Sequence, residues 1–326
     1  MTIEAARPRR LRLGIVGAGS VARMHVDAAR ELPDEFAVVA IADSDSAKAQ
    51  ALAAEIGAVA LADCEQMASS GQVDVGIVGS PHGLHLQHAT ALLERGIPVL
   101  VEKPMALTSA DCRRLIETAE RLRVPLAVGH LQRFMPLMIE AKRLLDSGLV
   151  GALVSVQDLY SARYEQNLRP GWFFDPSLAG HGILANVGTH CLDRLMVLAS
   201  TTTITFDSGW MAGEPVPVRA MATGTVDEVR SLIVLQGIGF PTLEVTEVGG
   251  ASGAIRVSSA EGLTVMRDGV VTHRMARAPE HDRVAFVAQL ADFHRAVVAG
   301  VRPSVPGEYG LAVVEAIEQI ARLAGR

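Results

Sequence analysis

Short apolar runs alternate with helical patterns over the first 129 residues of the chain. Five apolar runs are each closed by Gly, Pro, Ser or Asp, in the segments RLRLGIVGAG, FAVVAIADSD, VDVGIVGSP, GIPVLVEKP and VPLAVGHLQRF. The segments between them, such as ADCRRLIETAERLR, carry apolar residues at helical spacing. Strands that alternate with helices predict an α/β fold in which a doubly wound parallel sheet has helices on both faces.

The pattern changes after residue 129. Apolar and polar residues now alternate over strand lengths, with Gly-containing turns, in GALVSVQDLYSARY, TTITFDSGWMA, RAMATGTVDEVRSLIVLQG, PTLEVTEVGGASGAIRVSSA and GLTVMRDGVVTHRM. Strict alternation predicts an antiparallel sheet with one face in water. Two helical patterns follow, over residues 285–299 and 309–323. We therefore predict two domains, residues 1–129 and residues 130–326.

Composition narrows the classes of protein that fit this pattern. The length of 326 residues favours two domains over one core. The net charge of −6 and the lack of a basic stripe with aromatics argue against a nucleic-acid partner. No run of about 18 apolar residues predicts a membrane span. The basic start around Arg7 leads into a run broken by glycines, which indicates a first strand and not a signal peptide. Three widely spaced cysteines fit reduced thiols in a cytoplasmic protein.

A glycine turn follows the first predicted strand in GIVGAGSVARMHVDAA. Gly17 permits the tight turn, Gly19 lets the backbone approach a pyrophosphate, and Ala22 allows close packing of the next helix. Asp43, at the end of the second strand, has the spacing of a carboxylate that binds a ribose diol. The pattern predicts a dinucleotide site. Asp43 would repel a 2′-phosphate, so NAD is favoured, although Lys48 leaves NADP possible.

A charged pair emerges from the buried strand in VLVEKPMALT, at the sheet edge where ligands bind in open α/β folds. Glu102 and Lys103 form either a surface salt bridge that caps the strand or a catalytic pair. In the second interpretation Lys103 orients or polarises a substrate hydroxyl beside the nicotinamide.

A second polar pair lies in an apolar helical pattern, in AGHGILANVGTHCLD. Asn186 and His190 are four residues apart, which places both side chains on one face of a helix. Buried polar groups need hydrogen-bond partners. The pair is therefore either a buried polar contact or part of a site, and its partners must come from elsewhere in the chain.

Taken together, the Gly17 turn, the Glu-Lys-Pro strand end and the Gly-rich segment ending in His190 resemble the glucose–fructose oxidoreductase, inositol dehydrogenase and rhizopine catabolism family (Gfo/Idh/MocA). SGLVGALVSV, GWFFDPSLAGHG and the final helical segment extend the resemblance over almost the whole chain. It implies a Rossmann domain followed by a larger α+β domain with an open, mainly antiparallel sheet. It also implies a last helix that packs back on the Rossmann domain.

The resemblance further implies an activity and a set of site residues. Family members oxidise or reduce a secondary alcohol or ketone on a sugar, inositol or nucleotide-sugar ring with NAD or NADP. Lys103 then matches the catalytic lysine, and His190 matches the general acid/base. Asn186 replaces the usual Asp, and the Lys103–Pro104 peptide is a candidate cis bond. The full cofactor-binding set is Gly17, Gly19, Ser20, Val21, Asp43, Ser80, His82, His85, Glu102, Lys103 and Arg133.

Weaker signals concern the substrate pocket and the remaining histidines. The expected pocket residues are His130, Tyr160, Arg163, Trp172 and His181. His181 replaces a usual Gly, and is either a specificity element or a solvated loop side chain. Asp193 either orients His190 or caps a surface pair. The spacing of His82, His85 and His88 lacks the Cys or carboxylate that would complete a metal site, so no metal is expected. His88 is expected on the helix surface.

Three functions remain open. The first is a dehydrogenase or reductase acting on a small sugar or polyol, assembled as a homodimer or homotetramer. The second is an NAD-binding regulator without turnover, and the third is a glycosidase that uses the nicotinamide transiently. Lys103 and His190 favour the enzyme.

Overall fold

The computed structural model describes residues 9–237 and 241–325, so Arg7 lies outside the described part of the chain. Six strands form a first, wholly parallel sheet in the order β3-β2-β1-β4-β5-β6. The strands are β1 (Leu11–Val16), β2 (Phe36–Ala42), β3 (Val59–Leu61), β4 (Val75–Val78), β5 (Val99–Val101) and β6 (Leu126–Val128). The helices between them are α1 (Ser20–Arg30), α2 (Ser46–Ile56), α3 (Cys64–Ser69), α4 (His85–Leu93) and α5 (Ser109–Leu122).

Both faces of this sheet are buried, as the near-continuous apolar strands predict. Leu13 and Ile15 of β1 belong to one apolar cluster, with residues of α1 and α2. Val16 belongs to the other, with residues of α3, α4 and α5. The strand order reverses between β1 and β4, which opens a crevice at their carboxyl ends.

The second sheet has eight strands in the order β14-β13-β12-β11-β7-β10-β9-β8. They are β7 (Leu153–Ser161), β8 (Ile204–Ala212), β9 (Arg219–Val226), β10 (Val229–Gln236), β11 (Leu243–Gly250), β12 (Gly253–Ser258), β13 (Gly262–Arg267) and β14 (Val270–Met275). The remaining helices are α6 (Pro136–Asp146), α7 (Pro176–Ala179), α8 (Thr189–Ala199), α9 (His281–Ala299) and α10 (Gly307–Leu323). Neighbouring strands are antiparallel except β7 and β10, which are parallel. The predicted α/β class, with a mainly antiparallel second sheet, is confirmed.

Local sequence signals explain several helix starts. The carboxylate of Asp45 accepts backbone N–H bonds at the start of α2, Asp63 does so at α3, and the hydroxyl of Thr108 does so at α5. These side chains satisfy donors that the first helical turn leaves free. The start of α1 differs, because its N-cap is Gly19 and makes no side-chain hydrogen bond.

The two C-terminal helices return to the first sheet. Leu290 and Phe293 of α9 are fully buried in the same apolar cluster as Leu13 and Ile15. Ser109 at the start of α5 bonds to Glu318 of α10 through both its backbone N–H and its hydroxyl. We call the first sheet with its helices the first unit and the second sheet with its helices the second unit. The domain boundary between residues 129 and 130 stays a prediction, since α9 and α10 lie beyond it in sequence and pack against the first unit.

Replacing Phe293 with Ala tests whether α9 belongs to that core. Deleting a ring that is 1% exposed should lower the free energy of unfolding by about 3–5 kcal/mol. Urea denaturation measures the change. Val298→Ala on the same helix, at a position 45% exposed, is the matched control and should stay within about 0.5 kcal/mol of the parent. Equal, small losses of unfolding free energy in both variants would contradict the packing of α9 on the first sheet.

Candidate active site

The turn between β1 and α1 has the shape that a pyrophosphate needs. Gly17 has φ +96°, and a Cβ there would lie 2.6 Å from the carbonyl oxygen of Gly79, so only glycine fits. A Cβ on Gly19 would meet nothing within 4 Å, which leaves the space above the turn open. The first N–H groups of α1, beginning at Ser20 and Val21, have no side-chain cap. Free N–H groups and the positive end of the helix dipole together favour a phosphate.

Asp43 closes the side of the turn. Its Oδ2 accepts from Ala18 N at 2.7 Å and its Oδ1 accepts from Asp45 N at 2.8 Å. A carboxylate has about four acceptor positions, so each oxygen keeps capacity for a ribose hydroxyl. Lys48 is exposed and pairs with Asp45 at 3.0 Å. The residues present fit NAD, since a carboxylate stands where a 2′-phosphate would need a cation.

Glu102 is held by a residue that sequence reasoning missed. His25 of α1 lies 2.8 Å through Nε2 from Glu102 Oε1, and both side chains are buried. The other oxygen, Oε2, accepts the Lys103 backbone N–H at 3.2 Å. Burial alone would raise the pKa of Glu102, but the hydrogen bond and charge of His25 and the charge of Lys103 hold it below its usual range. The sequence held a signal for His25, because it lies three residues after Ala22 and therefore on the face of α1 that was predicted to pack on the sheet.

Lys103 does not form a surface salt bridge with Glu102. The Lys103–Pro104 peptide is cis, as expected, and the ammonium turns to the second unit. Nζ donates to the carbonyl oxygen of Asn186 at 2.8 Å and lies 3.4 Å from Asn186 Oδ1. An ammonium has three N–H donors, so one remains for a ligand. Burial lowers the pKa of Lys103 to about 8, against the opposing attraction of Glu102.

Asn186 lies in a π-helical turn, Leu184–Gly188, that leads directly into α8. π turns inside helices often occur at functional sites. The expected helix is therefore present, but its first turn is wider than an α-helix. The carbonyl of Asn186 accepts both Lys103 Nζ and the Thr189 hydroxyl. The Glu-Lys-Pro lysine is thus a partner of Asn186, the first member of the polar pair.

His190 is the second residue of α8 and, with Arg194 four residues later, lines a cavity of about 190 Å³. Burial and then the positive charges of Lys103 and Arg194 hold the pKa of His190 well below its usual range. His190 is therefore neutral at physiological pH and can accept a proton. Arg194 was missed by sequence reasoning. It forms a buried two-bond ion pair with Asp158 of β7, at 2.7 and 2.8 Å.

Asp193 neither orients His190 through a described hydrogen bond nor lies at the surface. It is fully buried, and its carboxylate accepts from Gln132 N at 3.0 Å and from the hydroxyl of Tyr309 at 2.6 Å. Asp193 therefore ties α8 to the segment after β6 and to α10. The expectation of a surface pair was wrong because α10 covers this face of α8.

His130 and Arg133, both predicted near the ligand, follow β6. His130 is 1% exposed, and its Nδ1 lies 3.9 Å from Asp193 Oδ2. Arg133 stacks over the Tyr309 ring at 4.4 Å and donates to the Ser304 carbonyl oxygen at 2.6 Å. Its expected contact with the nicotinamide or substrate stays a prediction.

The three histidines after β4 have different partners, and only the His82 contact given below reaches the second unit. Both ring nitrogens of His85 lie 2.8 Å from carbonyl oxygens, those of Ser80 and Pro104. The ring of His82 packs edge-on against Trp172 at 4.8 Å. His88 is not simply surface, since it is half-buried and its Nδ1 lies 2.9 Å from Ser80 Oγ. His85 thus braces the segment that carries Lys103.

The other predicted pocket residues are spread over the neighbouring segments. Tyr160 lies at the end of β7, where Arg194 approaches its ring at 5.7 Å. Arg163 is exposed, and its carbonyl accepts from Arg169. His181 is half-buried and precedes the π turn. Their contact with a substrate stays a prediction.

Three further observations concern the site and its surroundings. Within residues 9–237 and 241–325, no group of three or more His, Cys, Asp or Glu side chains has an arrangement that could hold a metal ion. Over the same residues, no helix combines the length and the apolarity that a membrane span requires. A larger groove of about 720 Å³, lined by Arg133 and Tyr309 and by residues of α6 and α8, includes neither Lys103 nor His190.

Comparisons with known proteins agree with this geometry. Residues 11–130 match the model of the oxidoreductase family with an NAD-binding Rossmann fold. Residues 138–235 match the model of the GFO/IDH/MocA C-terminal domain. The two matches belong to one family and together span most of the chain. The molecule is thus an oxidoreductase-family protein with an NAD-binding domain, and the chain belongs to the Gfo/Idh/MocA family.

Individual relatives show how far the likeness extends. Inositol 2-dehydrogenase 1 of Saccharopolyspora erythraea is 38% identical over 175 residues, which is 52% of this chain and 49% of that protein. The match thus spans about half the length of that relative. The rhizopine catabolism protein MocA of Rhizobium meliloti is 27% identical over 331 residues, 97% of this chain and 96% of that protein.

Solved structures share the fold over the whole chain. GenD2 from gentamicin A biosynthesis, crystallised with NAD, has a TM-score of 0.87 at 20% identity and covers 100% of this chain and 98% of its own. Levoglucosan dehydrogenase, crystallised with NADH, has a TM-score of 0.87 at 18% identity over 97% of both chains. The two-sheet arrangement is therefore that of the family.

The buried position of Lys103 predicts an unusual titration. The sequence contains three lysines, Lys48, Lys103 and Lys142, so isotope-labelled lysine should give three resolved side-chain signals. We expect the Lys103 signal to titrate near pH 8, because burial disfavours its charged form. The exposed Lys48, whose pKa is raised by Asp45, should titrate above pH 10 and is the internal control. Lys103→Met assigns the signal, and a midpoint for Lys103 equal to that of Lys48 would refute its burial.

Proposed function

We propose that this chain is an NAD-dependent dehydrogenase that transfers a hydride between the nicotinamide and a secondary alcohol or ketone of a sugar, inositol or related ring. The single observation that carries the proposal is the junction of Lys103 and the Asn186–His190 segment. A buried ammonium with one free donor is bound to the segment that carries a neutral imidazole, and that imidazole lines a small cavity. The β1–α1 turn of the same molecule fits a dinucleotide.

The residues divide the chemistry of alcohol oxidation between them. Bound NAD supplies the hydride acceptor. His190, kept neutral by burial and by the charges of Lys103 and Arg194, takes the hydroxyl proton of the substrate. The free N–H of Lys103 stabilises negative charge that develops on the same oxygen. The C–H bond breaks with its electron pair and the O–H bond breaks as a proton, so the products are a ketone, NADH and one proton. In reduction the steps run in reverse.

Asn186 supports this division in place of the usual Asp. Its carbonyl and side-chain oxygens face Lys103 Nζ without adding a negative charge. A carboxylate there would raise the pKa of both Lys103 and His190. With the amide at this position, the pKa of the lysine and of the histidine is lower than it would be beside a carboxylate.

The assembly and cell compartment extend the proposal. Trp210 of β8 and Met221 of β9 are direct neighbours across the second sheet, 50% and 45% exposed. Large apolar residues side by side in water favour an interface. We therefore propose a homodimer or homotetramer formed through this sheet. From the sequence composition we also propose that the protein acts in the cytoplasm on small-molecule ligands, without a nucleic-acid partner.

Removing the imidazole tests the reaction. His190→Ala should lower kcat/KM by roughly 10²- to 10⁴-fold, the usual contribution of a general base, and should leave NADH affinity unchanged. Turnover is measured as the absorbance of the reduced nicotinamide, with inositols, free sugars and nucleotide sugars as candidate substrates. His273→Ala, a partly exposed histidine on β14, is the matched control and should be silent. An NAD-binding parent without turnover across the panel would instead favour a regulator.

The cofactor preference has a separate test. Asp43→Ala should weaken NAD binding roughly 10- to 100-fold, as expected for lost hydrogen bonds to a charged group, and should narrow the gap between NAD and NADP. Asp43→Asn removes the charge and keeps an acceptor for Ala18 N, so it separates the ribose contact from support of the turn. Calorimetry with each cofactor gives both affinities. An unchanged ratio of NAD to NADP affinity in both variants would remove Asp43 from cofactor selection.

A further inference from the structure

The cavity beside His190 has a wall that the proposed reaction does not use. His190 and Arg194 form one side, and Gln132 lies at the segment after β6. The other polar lining residues are Glu244 and Thr246 of β11, Ser258, Ser259, Arg277 and Asp282. Lys103 is not among its lining residues. At about 190 Å³ the cavity is smaller than the roughly 300 Å³ at which drug-sized sites begin, so it suits a single ring.

The positive charge of Arg194 is already matched. Its Nε and Nη2 donate to the two oxygens of Asp158, at 2.7 and 2.8 Å. Asp158 also accepts from the Thr246 hydroxyl at 2.8 Å, and neither Arg194 nor Asp158 is more than 3% exposed. A two-bond buried pair of this kind is rigid. Arg194 is therefore a fixed support and offers little positive charge to a ligand.

Glu244 is the member of this network that reaches the cavity. Its Oε2 accepts from Arg194 Nη1 at 3.1 Å, and Tyr160 also hydrogen-bonds to its carboxylate. The side chain is 34% exposed, whereas that of Asp158 is fully buried. A carboxylate has about four acceptor positions, so these two contacts leave about two unused. The backbone of Glu244 is fixed as well, because it exchanges hydrogen bonds with Ser259.

The charges around the cavity sum to a negative value. Two guanidinium groups, Arg194 and Arg277, face three carboxylates, Asp158, Glu244 and Asp282. Arg277 is paired with Asp282 at 2.6 Å, so the charge of each guanidinium is offset by at least one carboxylate. A ligand carboxylate or phosphate would meet the open oxygens of Glu244, and like charges at contact distance are strongly unfavourable.

We propose that Glu244 orients the substrate by accepting hydrogen bonds from two adjacent ring hydroxyls, or from a hydroxyl and an amino group. Arg194 is the positioning residue that holds it. The substrate is then a single-ring polyol, uncharged or amino-substituted, and acidic or phosphorylated rings are rejected. This assignment rests on the proposed dehydrogenase function, but ligand binding tests it without turnover.

Calorimetry on the NADH-loaded protein measures the binding of myo-inositol, glucose, glucosamine and glucuronate. We expect at least one of the first three to bind and glucuronate to bind at least 10-fold more weakly than it. Glu244→Gln keeps the shape and removes the charge. It should weaken the best neutral or amino ligand roughly 10- to 100-fold and reduce the discrimination against glucuronate. Glucuronate that binds as tightly as the neutral rings, or no binding by any neutral or amino ring, would overturn the assignment.

Steady-state kinetics separates orientation from mere structural support. Glu244→Gln should raise KM with little change in kcat, because it removes binding energy without removing a proton acceptor. Glu247→Gln alters a half-exposed carboxylate on the same strand that pairs with Arg256 outside the cavity lining, so it is the control and should leave KM within about 2-fold. Parent-like KM and affinity in Glu244→Gln would refute the role of Glu244. Absent turnover combined with the expected binding pattern would refute the dehydrogenase alone.

Discussion

A buried ammonium group that must keep one position organises the centre of this molecule. Lys103 emerges from β5 of the first sheet, yet its charge is received by the carbonyl of Asn186 from the second unit. Removing a cation from water is unfavourable unless fixed partners replace the solvent. The surrounding contacts supply that fixity, because Glu102 binds the Lys103 backbone and is itself bound to His25, while His85 bonds the Pro104 carbonyl. The pairing of the two units is thus also the assembly of the site.

Sequence periodicity was sufficient for most of the fold, because both sheets have apolar patterns that match their burial. The alternating strands and helices predicted five strands of the first sheet, and the five period-two runs contain all eight strands of the second. β3 was missed, since Val59–Leu61 is a three-residue edge strand that is only partly buried. The parallel pairing of β7 with β10 was also beyond the pattern, because periodicity does not state which distant strands become neighbours.

The site divides in the same way between local motifs and distant partners. Lys103, His190 and Asp43 stand in motifs whose spacing carries their chemistry. Arg194 and Glu244 do not, because their importance lies in an ion pair between residues 50 positions apart. Asp193 was predicted to orient His190 or to lie at the surface, whereas α10, over a hundred residues later, buries it. The motifs therefore predicted the candidate reacting groups, and only the fold showed which side chains hold them.

The return of α9 to the first sheet has a consequence for how the chain is made. Leu290 and Phe293 complete a core whose other members, such as Leu13 and Ile15, are synthesised almost 280 residues earlier. During translation the NAD-binding half therefore exposes an apolar surface until residue 299 has left the ribosome. Its final packing cannot precede the second sheet, which lies between these segments in sequence. The dinucleotide-binding unit is first in the sequence, yet its core is completed only by a segment close to the end.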